Sequence, residues 1–422
     1  MQNPYRLTRL PNGARIASVE MPYMRSVSLG IWTGIGGRHE AERQSGISHF
    51  LEHLLFKGTK RRSARRITES VEGLGGYLNA FTTEDHTCYY AKAAAPHLPQ
   101  LCDVLCDMYL ESVFAPQEIE REREVIREEI LMYRDQPAQH AQELLTATMW
   151  PGHPLGRPLT GSVESVNRLQ RAELVAFRDA HYTGATTIVT VAGPVYHERV
   201  VELLGPALAR LPRGRAPRFQ RVRREEGPAR VSLYTQDTEQ THLALGFHAF
   251  GRADERRFAL KLLSVILGEN MSSRLFQKLR ERHGWCYNVQ TSMVTLADTG
   301  AIHVYAGLDP ANLEKAIKLI LKELQSICEK PPGRTELKKA QDYTIGQTLM
   351  GLESTSNQIM WMGESILGYG KVLDPCEIER RIMSVTPEDI QRCACYCLNR
   401  VKLGLAIVGP VKDEEKVRGW LG

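Results

Sequence analysis

His49-Phe50-Leu51-Glu52-His53 puts two imidazoles four residues apart, with a carboxylate beside the second. On a helix, residues four apart share a face one turn from each other, and Glu52 falls on the same side. Two imidazole nitrogens so placed can grip one metal ion, and the carboxylate can reach a water next to it. With 13 histidines in 422 residues, a chance match of this pattern is an event on the order of a few percent, so its neighbours matter. The competing reading is an ordinary helix with polar residues on its wet face. Against it, Ile47, Leu51, Leu54 and Leu55 supply an apolar side, while His49, Glu52, His53 and Phe56 form a separate stripe. Gly46 and Gly58 bracket the run, as helix boundaries often do.

The order H-x-x-E-H inverts the H-E-x-x-H of many zinc hydrolases and marks the inverzincin pattern. Catalytic zinc takes three protein ligands and keeps one position open, so another His, Asp or Glu is required. The best segment for it is FAPQEIEREREVIREEILMYRDQP (Phe114 to Pro137). Pro116 suits the first turn of a helix and Pro137 its end. Val125, Ile126, Ile130 and Tyr133 predict a buried stripe. Glu122 and Glu129 are two turns apart and share a face, with Glu118 one turn earlier. Glu120 with Arg123, and Glu124 with Arg127, are spaced as surface ion pairs. Spacing alone does not choose between Glu128 and Glu129.

Four stretches carry a resemblance. They are SGISHFLEHLLFKGT (Ser45 to Thr59), GGYLNAFTTEDHTCYYA (Gly75 to Ala91), Glu122-Arg123-Glu124-Val125-Ile126-Arg127-Glu128-Glu129, and SSRLFQKLRERHGWCY (Ser272 to Tyr287). Together they resemble the pitrilysin/insulinase (M16) family of zinc peptidases, in the branch of the mitochondrial processing peptidase and its catalytic, beta-type subunit. The resemblance runs through nearly the whole chain. It implies one Zn²⁺ per chain held by His49, His53 and Glu129, with Glu122 orienting a ligating histidine. It implies Glu52 as general base, taking a proton from water and later giving it to the leaving amine. Asn79 and Ala80 would lie beside the scissile bond, on a strand to which a peptide adds its own edge. Arg280 and Tyr287 would reach from the second half to hold substrate or oxyanion, so that catalysis requires the halves to close together. In that branch, acids ten and fourteen residues beyond the ligand glutamate accompany a preference for basic substrates. Gln139 and Glu143 stand there, so only one acid remains and a strict arginine requirement is not expected. The glycine-rich loop of the branch's non-catalytic partner is missing from ILGENMSSRLF (Ile266 to Phe276), and a homodimer is expected.

The length suggests at least two domains. A 42% hydrophobic and 24% charged composition is that of a globular protein. No apolar run reaches the ~18 residues of a membrane span, and the N-terminus carries neither an apolar signal region nor an Arg- and Ser-rich transit character. Nine cysteines without disulfide-like spacing suit a reducing cytoplasm. Cys393, Cys395 and Cys397 read as helix packing residues rather than a second metal site. A formal charge of +5, with basic clusters at Lys60 to Arg66 and Arg213 to Arg224 that lack interleaved aromatics, argues against nucleic-acid binding.

Residues 166 to 195 can be laid without gaps on residues 382 to 411, with Gly193-Pro194-Val195 on Gly409-Pro410-Val411. Each copy reads as an amphipathic helix, a turn and an apolar β run. Two homologous domains follow: a catalytic one over 1–210, a Pro-, Gly- and Arg-rich linker over 211–228, and a second without metal over 229–422. Laying Gly58 on Gly268 puts His49, Glu52 and His53 on Ala259, Leu262 and Leu263. Laying Glu118 on Glu336 puts Glu122 and Glu129 on Ala340 and Gln347. The second copy thus lacks the whole set together, which a merely solvated helix surface would not explain. The β runs Val27 to Ile35, Thr87 to Ala93 and Ala185 to Ala192 alternate with long helical segments. The expected fold is α+β: two homologous domains, each a mostly antiparallel sheet with helices on one side, forming a hinged clam-shell. The expected function is zinc-dependent hydrolysis of extended, unstructured peptides inside a closed chamber. The alternatives are a non-catalytic scaffold subunit, or a peptide-binding protein that keeps its zinc but cuts slowly.

Overall fold

The computed structural model describes residues 4–223, 229–399 and 402–421. Residues 224–228 of the expected linker lie outside the described residues. The chain forms two compact units: Met1–Ile130 with Arg157–Gln220 and Leu349–Asp374, and Leu131–Gly156 with Arg221–Thr348 and Pro375–Gly422.

The first unit is built on a six-stranded sheet. Its strands are β1 (Tyr5–Arg9), β2 (Arg15–Glu20), β3 (Ser26–Thr33), β4 (Tyr77–Thr82), β5 (Thr87–Ala94) and β6 (Thr187–Gly193), in the order β1-β2-β6-β3-β5-β4. The pair β2–β6 is parallel and every other pair is antiparallel. The second unit carries five strands, β7 (Arg230–Thr235), β8 (Thr241–Ala249), β9 (Cys286–Thr295), β10 (Gly300–Leu308) and β11 (Leu403–Gly409), ordered β7-β11-β8-β10-β9. Here too one pair, β7–β11, is parallel and the rest are antiparallel. The second sheet repeats β2, β6, β3, β5 and β4 of the first, strand for strand. The internal repeat read from the sequence is therefore a repeat of topology.

Both faces of each sheet are covered by helices, not one face as expected. In the first unit, Leu29 and Ile31 of β3 face a core shared with Val189, Val191 and the helix Leu98–Glu111. The alternate residue Trp32 faces a second core with Ile188, Ala192 and Ile359, Met362 and Ile366 of the helix Thr355–Tyr369. Strands buried on both faces read as continuous apolar runs rather than alternations. TIVTVAG of β6, buried at every position, is such a run.

The covering helices explain why the compact units are not contiguous halves of the sequence. The helix Pro137–Met149 lies in the first half of the chain. It packs Ala141, Leu145 and Met149 on Ala244, Ala301 and Ala406 of the second unit's sheet. The first unit is covered in turn by Thr355–Tyr369. The register that lays Glu118 on Glu336 lays Pro137 on Thr355, so these two helices are repeat equivalents. Each is seated by small residues: a Cβ at Gly363 would lie 2.2 Å from the Trp32 ring, and one at Gly246 would lie 2.3 Å from Met149 Sδ. No helix among the described residues is long and apolar enough to cross a membrane.

Candidate metal centre

The helix Ile47–Leu54 is held by its apolar side: Ile47, Phe50 and Leu51 are fully buried in the first unit's core. It has no Ser or Thr cap. Gly46 takes a left-handed φ of +91° at its N-terminus, and the Glu40 carboxylate accepts from Gly46 N–H and Ser48 N–H, each at 2.8 Å. A carboxylate at this end satisfies orphan donors and complements the helix dipole. Glu40 was not legible in the sequence, since its carboxylate returns from a preceding turn and fits no local capping spacing.

The helix Pro116–Arg134 supplies the facing side chains. It buries Ile119, Ile126 and Ile130. Val125, expected in that stripe, is 48% exposed, because the buried line runs through 119, 122, 126 and 130 and leaves 125 just beyond its border. The ion pairs Arg123–Glu120 and Arg127–Glu124 form as spaced, at 3.1 and 2.9 Å. Arg123 is more than a surface charge: its buried guanidinium also donates to the carbonyls of Val166 and Leu169.

Between these helices, Glu129 Oε2 lies 3.5 Å from His49 Nε2 and 3.5 Å from His53 Nε2. The three ligand atoms fall within 4.8 Å of one another, the one such group of His, Cys, Asp or Glu among the described residues. Ligands about 2.1 Å from a tetrahedral zinc ion stand about 3.4 Å apart, so the two separations to Glu129 suit that ion. Two imidazoles and one carboxylate are the donor set zinc takes in hydrolases. Glu128, which spacing left as an alternative, is not in the group.

Glu122 is almost fully buried. Its Oε2 accepts from His53 Nδ1 at 3.1 Å and its Oε1 from Lys57 Nζ at 2.8 Å. With Nδ1–H engaged by Glu122, Nε2 is the ring atom left facing Glu129, and it is the atom that would bind a metal. Burial and the neighbouring His53 hold His49 down to about 4, with Glu129 only partly opposing. For His53, burial lowers the pKa but is outweighed by Glu122, Glu129 and Glu52, which raise it to about 9. The three carboxylates thus create a site that demands positive charge.

Glu52 sits beside this group without belonging to it. Its Oε2 accepts from Thr82 Oγ1 at 2.5 Å. Burial raises its pKa, opposed by the Thr82 hydroxyl and His53 and reinforced by Glu129. Thr82 lies within the stretch Gly75 to Ala91, but only the packing of β4 on the helix brings its hydroxyl to the carboxylate. Asn79 and Ala80 are on β4, the edge strand of the sheet, and Ala80 N–H donates to Asn79 Oδ1 at 2.8 Å.

Arg280, Tyr287 and Glu143 belong to the second unit. Arg280 is on a π-helical turn, Phe276–Arg282, and Tyr287 on β9, so their spacing is a helix followed by a strand and not two helical turns. The Arg280 guanidinium stacks 5.0 Å from the centre of the Tyr287 ring, which is 77% exposed. Glu143 is on the helix Pro137–Met149, and burial raises its pKa against the pull of Arg134. Cys393 and Cys397 are buried packing residues, and Cys395 is exposed and donates to the Cys328 carbonyl.

Comparison with known proteins places the chain in a family. The profile of the insulinase family (Peptidase family M16) matches residues 15–163, and that of the Peptidase M16 inactive domain matches residues 168–343. The chain is 37% identical over 419 residues to an uncharacterized zinc protease of Streptomyces coelicolor, covering 98% of this chain and 91% of the relative. It is 34% identical over 404 residues to an uncharacterized zinc protease of Bacillus subtilis, covering 94% and 97% of the two chains. A protease from Helicobacter pylori has the same fold, with a TM-score of 0.90 at 22% identity over 97% of this chain and 100% of that one. A peptidase M16 inactive domain structure from Pseudomonas fluorescens superposes with a TM-score of 0.89 at 18% identity, covering 97% and 98%. On the strength of the matched profiles and full-length relatives, the chain belongs to the M16 insulinase family of zinc proteases, with zinc as its metal.

Proposed function

We propose that the protein is an endopeptidase for extended, unstructured peptides, with His49, His53 and Glu129 holding one zinc ion and Glu52 acting as general base. The observation that carries the proposal is the convergence of two Nε2 atoms on Glu129 Oε2, with a half-buried carboxylate beside them that takes no part in the triad. Zinc, when bound, supplies Lewis acidity to the scissile carbonyl and to the attacking water. The remaining work falls to the chain. Glu52 takes the water's proton and later delivers it to the leaving amine, a role suited to a carboxylate whose pKa burial has raised. Glu122 fixes the ring of His53. The edge strand β4 receives the substrate backbone, with Asn79 and Ala80 along the scissile segment.

The second unit completes the enzyme by closing on the first, and Arg280 with Tyr287 then holds substrate or oxyanion. Glu143 provides the single acid facing basic substrate positions. A second copy of the chain is the expected partner, and the cytoplasm the expected compartment. The family branch of the processing peptidases, catalytic type, remains part of this proposal.

The test is cleavage of an unstructured basic peptide, followed by mass spectrometry, with zinc content measured on wild type and Glu52→Gln. Cutting by wild type, and a zinc-loaded but inactive variant, is the expected result. Zinc in both proteins with no cutting by either would refute the endopeptidase reading.

A further inference from the structure

We infer that Thr82 is a positioning residue: its hydroxyl, carried on the edge strand β4, aims the Glu52 carboxylate. The inference rests on the proposed role of Glu52 and goes beyond it by naming what holds that side chain.

The argument is a count of protons along a short chain of hydroxyls. Thr87 Oγ1, fully buried on β5, donates to the Ile35 carbonyl at 3.0 Å. A hydroxyl has one proton, so Thr87 has none left for Thr82, whose Oγ1 is 3.4 Å away. Thr82 therefore keeps its own proton free to give. Glu52 Oε2 at 2.5 Å is the nearer and, when ionised, the charged acceptor. The direction of the bond is fixed from the buried end outward: Ile35 C=O accepts from Thr87, and Glu52 accepts from Thr82.

This bond is the single hydrogen bond of the Glu52 side chain among the described residues. One oxygen is tethered and Oε1 is left unengaged, which is what a base needs in order to receive a proton in a defined direction. Without the tether, a glutamate has three side-chain torsions to search, and its carboxylate competes for the cationic neighbourhood of His53. A displacement of about 1 Å in such a group costs on the order of 100-fold in rate.

The tether also has a mechanical consequence. β4 is hydrogen-bonded to β5 on one side and is the edge of the sheet on the other. A peptide added to that edge aligns with the same strand that holds the base. Registration of the substrate backbone and aim of the carboxylate then share one rigid element, which favours precise geometry.

The experiment compares Thr82→Val, which keeps the shape and removes the hydroxyl, with Thr82→Ser, which keeps the hydroxyl. Steady-state hydrolysis of the basic peptide is measured beside zinc content, and the metal-free variants are crystallised. The expected result for Thr82→Val is a kcat lower by roughly 10- to 100-fold, with KM and zinc content near wild type. Thr82→Ser restores most of kcat. In the crystals, Glu52 Oε2 stays on the hydroxyl in the serine variant and leaves its place in the valine variant. A valine variant with kcat within about twofold of wild type, a serine variant as slow as valine, or an unmoved Glu52 in the valine crystal overturns the inference. Should the wild type itself not cut, the proposed function fails, and the crystallographic comparison still decides the tether.

Discussion

Replacing Glu122 by Gln changes one atom of a nearly buried side chain and tests whether its charge, rather than its bulk, sustains the metal site. The carboxylate faces two donors, His53 Nδ1 at 3.1 Å and Lys57 Nζ at 2.8 Å. A glutamine amide offers one accepting oxygen and one donating nitrogen. Whichever way it turns, one donor meets an N–H. Lys57, with its side chain 32% exposed, can swing into water, whereas His53 is held between two helices. The amide oxygen should therefore turn to His53. The contact survives but loses its charge, a change from about 1.5–3 kcal/mol to about 0.5–1.5 kcal/mol. Loss of a buried negative charge near a dication adds to this. Zinc affinity should fall 10- to 100-fold, the usual range for such carboxylates, or about 1.4–2.8 kcal/mol. The assay is competition for zinc with a chromophoric chelator, with thermal unfolding of the metal-free proteins alongside to separate affinity from stability. Glu122→Asp, one methylene short of spanning both donors, should also weaken binding. Lys57→Met, which leaves the carboxylate to His53 alone, should bind at least as tightly as wild type. A Glu122→Gln protein whose zinc affinity stays within twofold of wild type would refute the reasoning.

Further outcomes are expected. Gly46→Ala puts a side chain at φ +91°, with its Cβ 2.6 Å from the Thr160 carbonyl oxygen. It should lose at least about 2 kcal/mol in urea unfolding and zinc affinity with it, because the residue begins the His49 helix. Ile359→Ala empties a fully buried position between the Thr355–Tyr369 helix and its sheet and should cost about 2–5 kcal/mol. His303, buried on β10, is held down to about 4 by burial and by His248. Its folded pKa is below the unfolded value near 6.5, so the unfolded chain binds the extra proton. Stability from this group is complete above about pH 6.5 and is lost as pH falls toward 4, up to roughly 3 kcal/mol. Unfolding of metal-free His303→Leu between those pH values should show a correspondingly flatter acid limb, and a limb as steep as wild type would remove His303 from the account. Removing zinc with a chelator should abolish peptide cleavage, and restoring it should return activity.

Much of the site was legible because its signals are local or repeat. One helical turn separates His49 from His53, two separate Glu122 from Glu129, and these spacings need no tertiary knowledge. The loss of the whole set in the second copy was equally visible, and the repeat it rested on reappears as two sheets of matching strand order. Other features depend on residues distant in sequence meeting through burial. Choosing Glu129 over Glu128 by spacing was not possible, since adjacent residues differ only in the rotation of their helix against its neighbour. Family likeness and packing made that choice. Val125 went astray for the same reason: an apolar residue at the border of a stripe is assigned by the partner surface, not by its own period. Thr82 and Glu40 act through contacts from a strand and a turn that carry no spacing signature.

The exchange of covering helices is the largest feature that only the tertiary structure decided. Pro137–Met149 and Thr355–Tyr369 each bury an apolar face, and neither helix was read from the sequence, where Pro137 figured only as a helix end. Nor does the sequence say against which sheet each is laid. That is settled by complementary shape, where Gly363 admits the Trp32 ring and Gly246 admits Met149. Sequence by itself determined the chemistry and the duplicated plan, because both are written in short-range spacing and in repetition. The tertiary structure decided which surfaces meet, because burial energy follows the fit of two surfaces and neither surface alone contains it.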